Sequence, residues 1–135
     1  MIDPIKYLTC DRKLDADLLV AYGVKAVDHP QLGAAVAFPY RRDGKPYAAK
    51  FRGVAEKSWR SSEGVTRALF NEDCLHSGDG PIVITEGEID ALSVIQAGYT
   101  RAVSLPDGWT EAGGKRHGGR ERRRKVGHPN YPWKQ

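Results

Sequence analysis

Apolar and polar positions alternate along this chain with two different periods, and the changes between them mark its elements. Residues 12–23, RKLDADLLVAYG, carry Leu14, Leu18, Leu19 and Tyr22 on one helical face, with Gly23 placed to stop a helix. Residues 34–40, AAVAFPY, predict a strand, RRDGK a hairpin turn at Asp-Gly, and residues 46–52, PYAAKFR, the returning strand. KSWRSS (57–62) predicts a third short strand, and GVTRALFNEDCL (64–75) a connecting loop with one helical turn. Gly78, Gly80 and Pro81 then break the chain before Ile82, Val83 and Ile84, a β-branched run suited to a strand buried on both faces. EIDALSVIQAG follows, with Ile89, Leu92 and Ile95 on a shared helical face and Gly98 at its end, and RAVSLP (101–106) predicts the next strand. Strand, helix and strand at this spacing form a βαβ unit, whose usual form is a right-handed parallel crossover.

After Gly108 the periodicity stops. TEAGGKRHGGRERRRKVGHPNYPWKQ has five glycines, two prolines and no apolar period, the composition of a disordered segment. The fold class expected is α/β. A small β-rich unit spans residues 1–77, a βαβ unit 78–114 and a basic tail 115–135.

Charge sharpens this division. The whole chain of 135 residues carries a formal +4. Residues 1–110 hold 13 Lys/Arg and 15 Asp/Glu, a net −2, whereas residues 111–135 hold 8 basic and 2 acidic residues, a net +6. The basicity therefore belongs to the tail. With 28% charged residues and no apolar run near the ~20 needed to cross a bilayer, the chain is expected to be soluble and not membrane-bound. Its N-terminus, MIDPIKYLTCDRK, lacks the apolar core of a signal peptide, so the cytoplasm is the expected compartment. Cys10 and Cys74 stand far apart without a CxxC, which excludes a cysteine-rich zinc ribbon and fits two reduced thiols. The histidines at 29, 76, 117 and 128 have no ligand spacing.

The candidate chemistry lies at the join of the apolar run and the helix, where Glu86, Glu88 and Asp90 cluster. Ligands of open α/β sheets bind beyond the carboxyl ends of the strands, which is where Glu86 falls. Asp90 lies in the first turn of the following helix, close to Glu86. Paired carboxylates suit Mg²⁺ (or Mn²⁺), and Gly87 leaves room for backbone or phosphate. Acidic residues at a helix N-terminus also complement the helix dipole, so spacing alone leaves both readings open. Lys50 and Arg52 alternate on one strand face, which makes either a phosphate cradle or a solvated, charge-protected edge. Trp59, Tyr40 and Phe51 are of a type that stacks on bases, though such residues more often pack a hairpin against its neighbour.

PIVITEGEIDALSVIQAGYTRAVSLPDG resembles the first half of a Toprim domain, and more narrowly the Toprim core of phage-type DNA primases and primase–helicases, including the mitochondrial helicase relatives. The likeness is carried by the apolar strand, by Thr85-Glu86-Gly87-Glu88-Ile89-Asp90-Ala91-Leu92, and by the next strand ending in Ser104-Leu105-Pro106-Asp107-Gly108. Upstream, FPYRRDGKPYAAKFRG is similar to the hairpin of the primase N-terminal subdomain, KSWRSS to its following strand and ALFNEDCL to its link into Toprim. The resemblance covers residues 5–114. It implies template-directed RNA primer synthesis, with Glu86 as the essential acid of a Mg²⁺ site and Asp90 as a second acidic member. It also implies that Lys50 and Arg52 face nucleotide and single-stranded DNA template, with Lys57 and Arg60 on the same surface. A replicative helicase partner and a bacterial or phage-infected cell follow from the same likeness.

The sequence departs from that family in two ways. The Asp-x-Asp of a later strand is missing, since only Glu111 and Glu121 follow Asp107 among the acids, and no GxxxxGK[ST] of a helicase motor occurs. Two carboxylates bind Mg²⁺ weakly, because most of its inner shell stays water. The expectation is a C-terminally truncated primase core with little activity and with hydrophobic faces left open, the tail changing character near residues 115–118. The alternative is a non-catalytic module that holds single-stranded nucleic acid through Lys50, Arg52 and the ERRRK-bearing tail.

Overall fold

The architecture is that of a computed structural model, which describes residues 2–62, 65 and 68–106. A short α-turn, α1 (Pro4–Lys6), is capped by the Asp3 carboxylate, which accepts from the amides of Ile5 and Lys6. It widens into a π-helical turn over Tyr7–Asp11, closed by the Arg12 amide on the Tyr7 carbonyl. Helix α2 (Ala16–Ala21) follows. Four antiparallel strands come next, β1 (Lys25–His29), β2 (Gly33–Arg42), β3 (Lys45–Gly53) and β4 (Trp59–Ser61), in the order 1-2-3-4. A 3₁₀ turn (Glu72–His76) leads to β5 (Val83–Thr85), α3 (Glu88–Gln96) and β6 (Ala102–Ser104). Strands β5 and β6 pair in parallel around α3, so the α/β class and the βαβ unit are as expected.

The β2–β3 hairpin turns at Asp43 and Gly44, both with positive φ (53° and 75°), the mirror-type turn that an Asp-Gly pair favours. The 3₁₀ turn grips this hairpin from outside: the Asp73 carboxylate accepts from the amides of Asp43 and Gly44, both at 2.8 Å. Arg42 pairs with Glu72 at 3.0 Å beside it. Gly23 ends α2 at φ +70°, where a side chain would be strained and would strike the Arg41 guanidinium; that guanidinium bonds the Ala21 carbonyl instead.

Period-2 alternation sets the core. Val36, Phe38 and Tyr40 of β2 are completely buried, and Ala48 of β3 joins them. Against this face pack Leu8, Leu14 and Leu19 from the N-terminal turns, and Val65, Ala68, Phe70, Ile89, Ala91 and Leu92 from the βαβ side, in one cluster. Phe70 stands edge-on to both Phe38 and Tyr40, and its backbone bridges Ser104 of β6.

Three elements differ from the expectations. The helix of residues 12–23 is shorter, because Lys13 turns to φ +58° and Leu14 enters the core from a loop. Strand β1 was not anticipated; KAVDH has only two apolar residues, and its pairing with β2 makes it a strand. The run Ile82–Ile84 is not buried on both faces: Ile82 is 45% and Ile84 67% exposed. Strand β5 has β6 on one side and leaves Ile84 exposed, whereas all three residues of β6 are buried. The expected tail at 115–135 lies outside the described residues.

The Asp73 carboxyl is held below the usual carboxylate range, first by the Gly44 amide and then by that of Asp43. A depressed carboxyl stabilises the fold above its unfolded pKa and loses that contribution as pH falls through its folded pKa. D73N is therefore expected to be less stable than wild type near neutrality in urea denaturation. The difference should close as the solution is acidified through the carboxylate range; a gap that persists in acid would show that the charge is not what matters.

Candidate nucleic-acid and metal interface

The join between β5 and α3 is a tight, braced turn. The Thr85 hydroxyl lies 3.0 Å from the Gly87 carbonyl and 3.1 Å from the Val103 carbonyl, tying the turn to the neighbouring strand. Gly87 caps α3 in an extended conformation. The turn sends its acids in different directions. Glu86 is exposed at the carboxyl end of β5. Asp90, also exposed, brings Oδ2 to 3.4 Å from where a Gly87 side chain would begin. Asp90 also lies 4.0 Å from the Arg12 guanidinium.

Glu88, between them, is fully buried. Its Oε1 accepts from the Tyr40 hydroxyl at 2.5 Å and meets the Lys50 ammonium at 3.1 Å. Lys50, only 8% exposed, also donates to the Pro106 carbonyl and lies 4.5 Å from the centre of the Trp59 ring. Lys50 pairs with Phe38 across the hairpin, so it faces the core side of the sheet and not a solvated edge. Arg52, two residues on, shares that face; its guanidinium stacks over Tyr7 at 4.6 Å and lies 5.8 Å from Trp59.

Lys50 and Arg52 do point the same way, as strand alternation predicts. Arg60 does not join them. It stands opposite Phe51 on the other face, bonded through Nε to Gln31 at 2.9 Å. The register of β4, which places Trp59 inward against Arg52, causes this reversal. Lys57 is exposed in the β3–β4 loop. Tyr40 is core, while Trp59 packs partly buried, 6.2 Å from Phe38. Phe51 stacks outside on His29 at 4.9 Å.

Glu86 and Asp90 are two exposed carboxylates, the hard oxygen donors that a hydrated Mg²⁺ or Mn²⁺ takes. Among the described residues, no three His, Cys, Asp or Glu side chains converge as a fuller ligand set. Sequence reading missed the inward role of Glu88, Tyr40 as its partner, and Tyr7 and Arg12 as neighbours of Arg52 and Asp90. The periodicity did hold a signal for Glu88, because Glu88, Leu92 and Ile95 recur at i, i+4 and i+7 on the buried face of α3.

An α/β unit of parallel strands beside an antiparallel hairpin sheet, with carboxylates at the strand end, is the architecture of a primase catalytic core. The chain carries that fold, of Toprim type. It superposes with a TM-score of 0.58 and 26% identity on the primase fragment of the bacteriophage T7 primase–helicase, covering 73% of this chain and 41% of that one. A DnaG primase catalytic domain bound to single-stranded DNA shares the fold at 17% identity and a TM-score of 0.56, over 75% of this chain and 47% of that one. In sequence the chain is 32% identical over 73 residues to a Twinkle homolog protein, chloroplastic/mitochondrial, of Arabidopsis thaliana. That match takes in 54% of this chain and 10% of the relative, so the chain spans a small part of the relative's length. No family model matches the chain. Among the described residues, no helix is long and apolar enough to cross a membrane.

The buried pair yields a direct test. K50M leaves the Glu88 carboxylate uncompensated in the core and is expected to lower stability by roughly 3–5 kcal/mol in urea denaturation. K50M/E88Q, which removes both charges, should recover most of the loss. If the double variant is no more stable than K50M, the two charges do not compensate each other.

Proposed function

We propose that this chain is part of a DNA primase core acting in DNA replication, in which Glu86, with Asp90, holds Mg²⁺ against nucleotide phosphates. The observation that carries this reading is the primase-core fold with Glu86 turned outward at the carboxyl end of β5. Bound there, Mg²⁺ supplies charge neutralisation and orientation for phosphoryl transfer. Glu86 contributes the first anionic ligand and Asp90 the second. With two protein ligands the ion is held weakly, so the chain by itself has little polymerising activity. In its family, further acids on a later strand would complete the site.

Template and nucleotide lie beside the partly exposed Arg52, where the inner face of the antiparallel sheet leaves the core. Arg52, over Tyr7 and beside Trp59, offers a fork of donors to phosphate and an adjacent aromatic face to a base. Lys50 contributes its charge from beneath. Lys57 in the loop extends the positive surface and gives sequence-independent attraction. A single strand is the substrate favoured by this arrangement, as in the DnaG domain bound to single-stranded DNA. By the same likeness the chain works beside a replicative helicase, within the cytoplasm of a bacterial or phage-infected cell.

Mn²⁺ titrated into isotope-labelled protein tests the metal. The amides of residues 85–91 are expected to broaden first in wild type and to be spared in E86Q. Equal broadening in E86Q, or broadening elsewhere first, would sink the assignment. Anisotropy of a labelled oligodeoxythymidine tests the nucleic-acid face. Affinity should fall with salt by about 0.7 log units per log unit of salt for each phosphate neutralised, and R52A should lower that slope by about one phosphate. A flat salt dependence would contradict the reading.

A further inference from the structure

We propose that Glu88 is a positioning residue: it does not ligate the metal but fixes the Lys50 ammonium beneath the nucleic-acid face. This deepens the function proposed above and rests on it. Lysine has three donors and no acceptor. In this fold the ammonium meets Glu88 Oε1 at 3.1 Å, the Pro106 carbonyl and the Trp59 ring at 4.5 Å. Only 8% exposed, that ammonium is poorly placed to reach a phosphate. Lys50 therefore acts as a fixed charge and strut, not as a hand that closes on substrate.

The strut has a defined span. Glu88 is the first residue of α3, three beyond the end of β5; Pro106 lies two beyond the end of β6. The ammonium thus clamps the carboxyl ends of both parallel strands, the edge on which Glu86 is displayed. From the other side it holds Trp59, the ring that Arg52 approaches at 5.8 Å. That nitrogen thus touches both the strand edge that displays Glu86 and the face that carries Arg52. Tyr40, completely buried, steadies the carboxylate by donating its hydroxyl to the same oxygen.

A buried pair of this kind is poor value for stability alone, since desolvation offsets most of its attraction. It is also incompletely satisfied: Glu88 Oε2 is buried with no hydrogen-bond partner among the described residues. The neighbouring acids divide the labour. Glu88 spends its charge inward on Lys50, and Glu86 and Asp90 keep theirs for a cation.

The test uses the whole chain, ¹⁵N-labelled, and reads side-chain ammonium signals together with Mn²⁺ broadening and oligodeoxythymidine binding. Wild type should show one slowly exchanging ammonium resonance shifted by the Trp59 ring, assigned by its absence in K50M. E88Q should lose that resonance yet keep the Mn²⁺ broadening at residues 85–91 that E86Q loses. E88Q should also weaken oligonucleotide binding several-fold without changing its salt slope, because no phosphate contact is removed. An unchanged ammonium resonance in E88Q overturns the proposal. So does loss of the Mn²⁺ effect in E88Q, which would make Glu88 a ligand, and so does a fall in salt slope for E88Q. If E88Q does not fold, Y40F decides. It should speed exchange of the same resonance, and a resonance identical to wild type overturns the proposal. The two readings fail separately: wild type without Mn²⁺ broadening at 85–91 refutes the metal assignment, while the Lys50 resonance judges the strut.

Discussion

The contact between Lys50 and Glu88 joins the two halves of this fold. One charge comes from the middle of an antiparallel strand and the other from the first residue of a helix in a parallel unit, and they meet at 3.1 Å in a site that water barely reaches. Each needs the other, because a single charge at either position would be buried without compensation. The apolar cluster around them, from Phe38 and Phe70 to Leu92, supplies most of the burial energy. Apolar contact has no direction, however, and would tolerate small slides of one sheet against the other. An ion pair with a hydroxyl and a carbonyl attached fixes position as well as proximity.

That constraint accounts for how the rest of the site is arranged. The turn after β5 must send consecutive acids to opposite sides, one outward to solvent and the next into the core. The Thr85 hydroxyl holds the turn against β6. On the sheet, strand alternation places Arg52 on the same side as Lys50 but nearer the solvent, with its guanidinium over the Tyr7 ring and close to that of Trp59. These residues are fixed by packing, so the proposed phosphoryl-transfer site would have its charges in place before substrate arrives.

Much of this was legible in the sequence. The βαβ unit could be read because a continuous apolar run gives way to a 3.6-residue period, and the hairpin because Asp-Gly punctuates it. The places of Glu86 at the strand end and Asp90 in the first turn of the helix were legible from the βαβ pattern, and the shared face of Lys50 and Arg52 from strand alternation. Strand β1 was not, because its five residues, KAVDH, carry little apolar signal and depend on β2 for their pairing. The exposure of Ile84 was not, because an apolar run reports what could be buried and not what lies over it. The inward turn of Glu88 was half visible, in its i, i+4, i+7 relation to Leu92 and Ile95. Lys50 was harder, since only the pairing with Phe38 shows that its face is the core face. Reading an acid on a buried helix face against a base on a buried strand face would have predicted the pair. Arg60 was misjudged for the related reason that one residue of register decides the face.

Crystals of the chain grown with Mn²⁺ and a short single strand of DNA would test the central claim most directly, through the anomalous signal of manganese. The account predicts a peak about 2.1 Å from a Glu86 carboxylate oxygen, with Asp90 beside it and Glu88 still turned inward onto Lys50. A peak on Glu88, or a manganese site elsewhere with Glu86 unliganded, would contradict it.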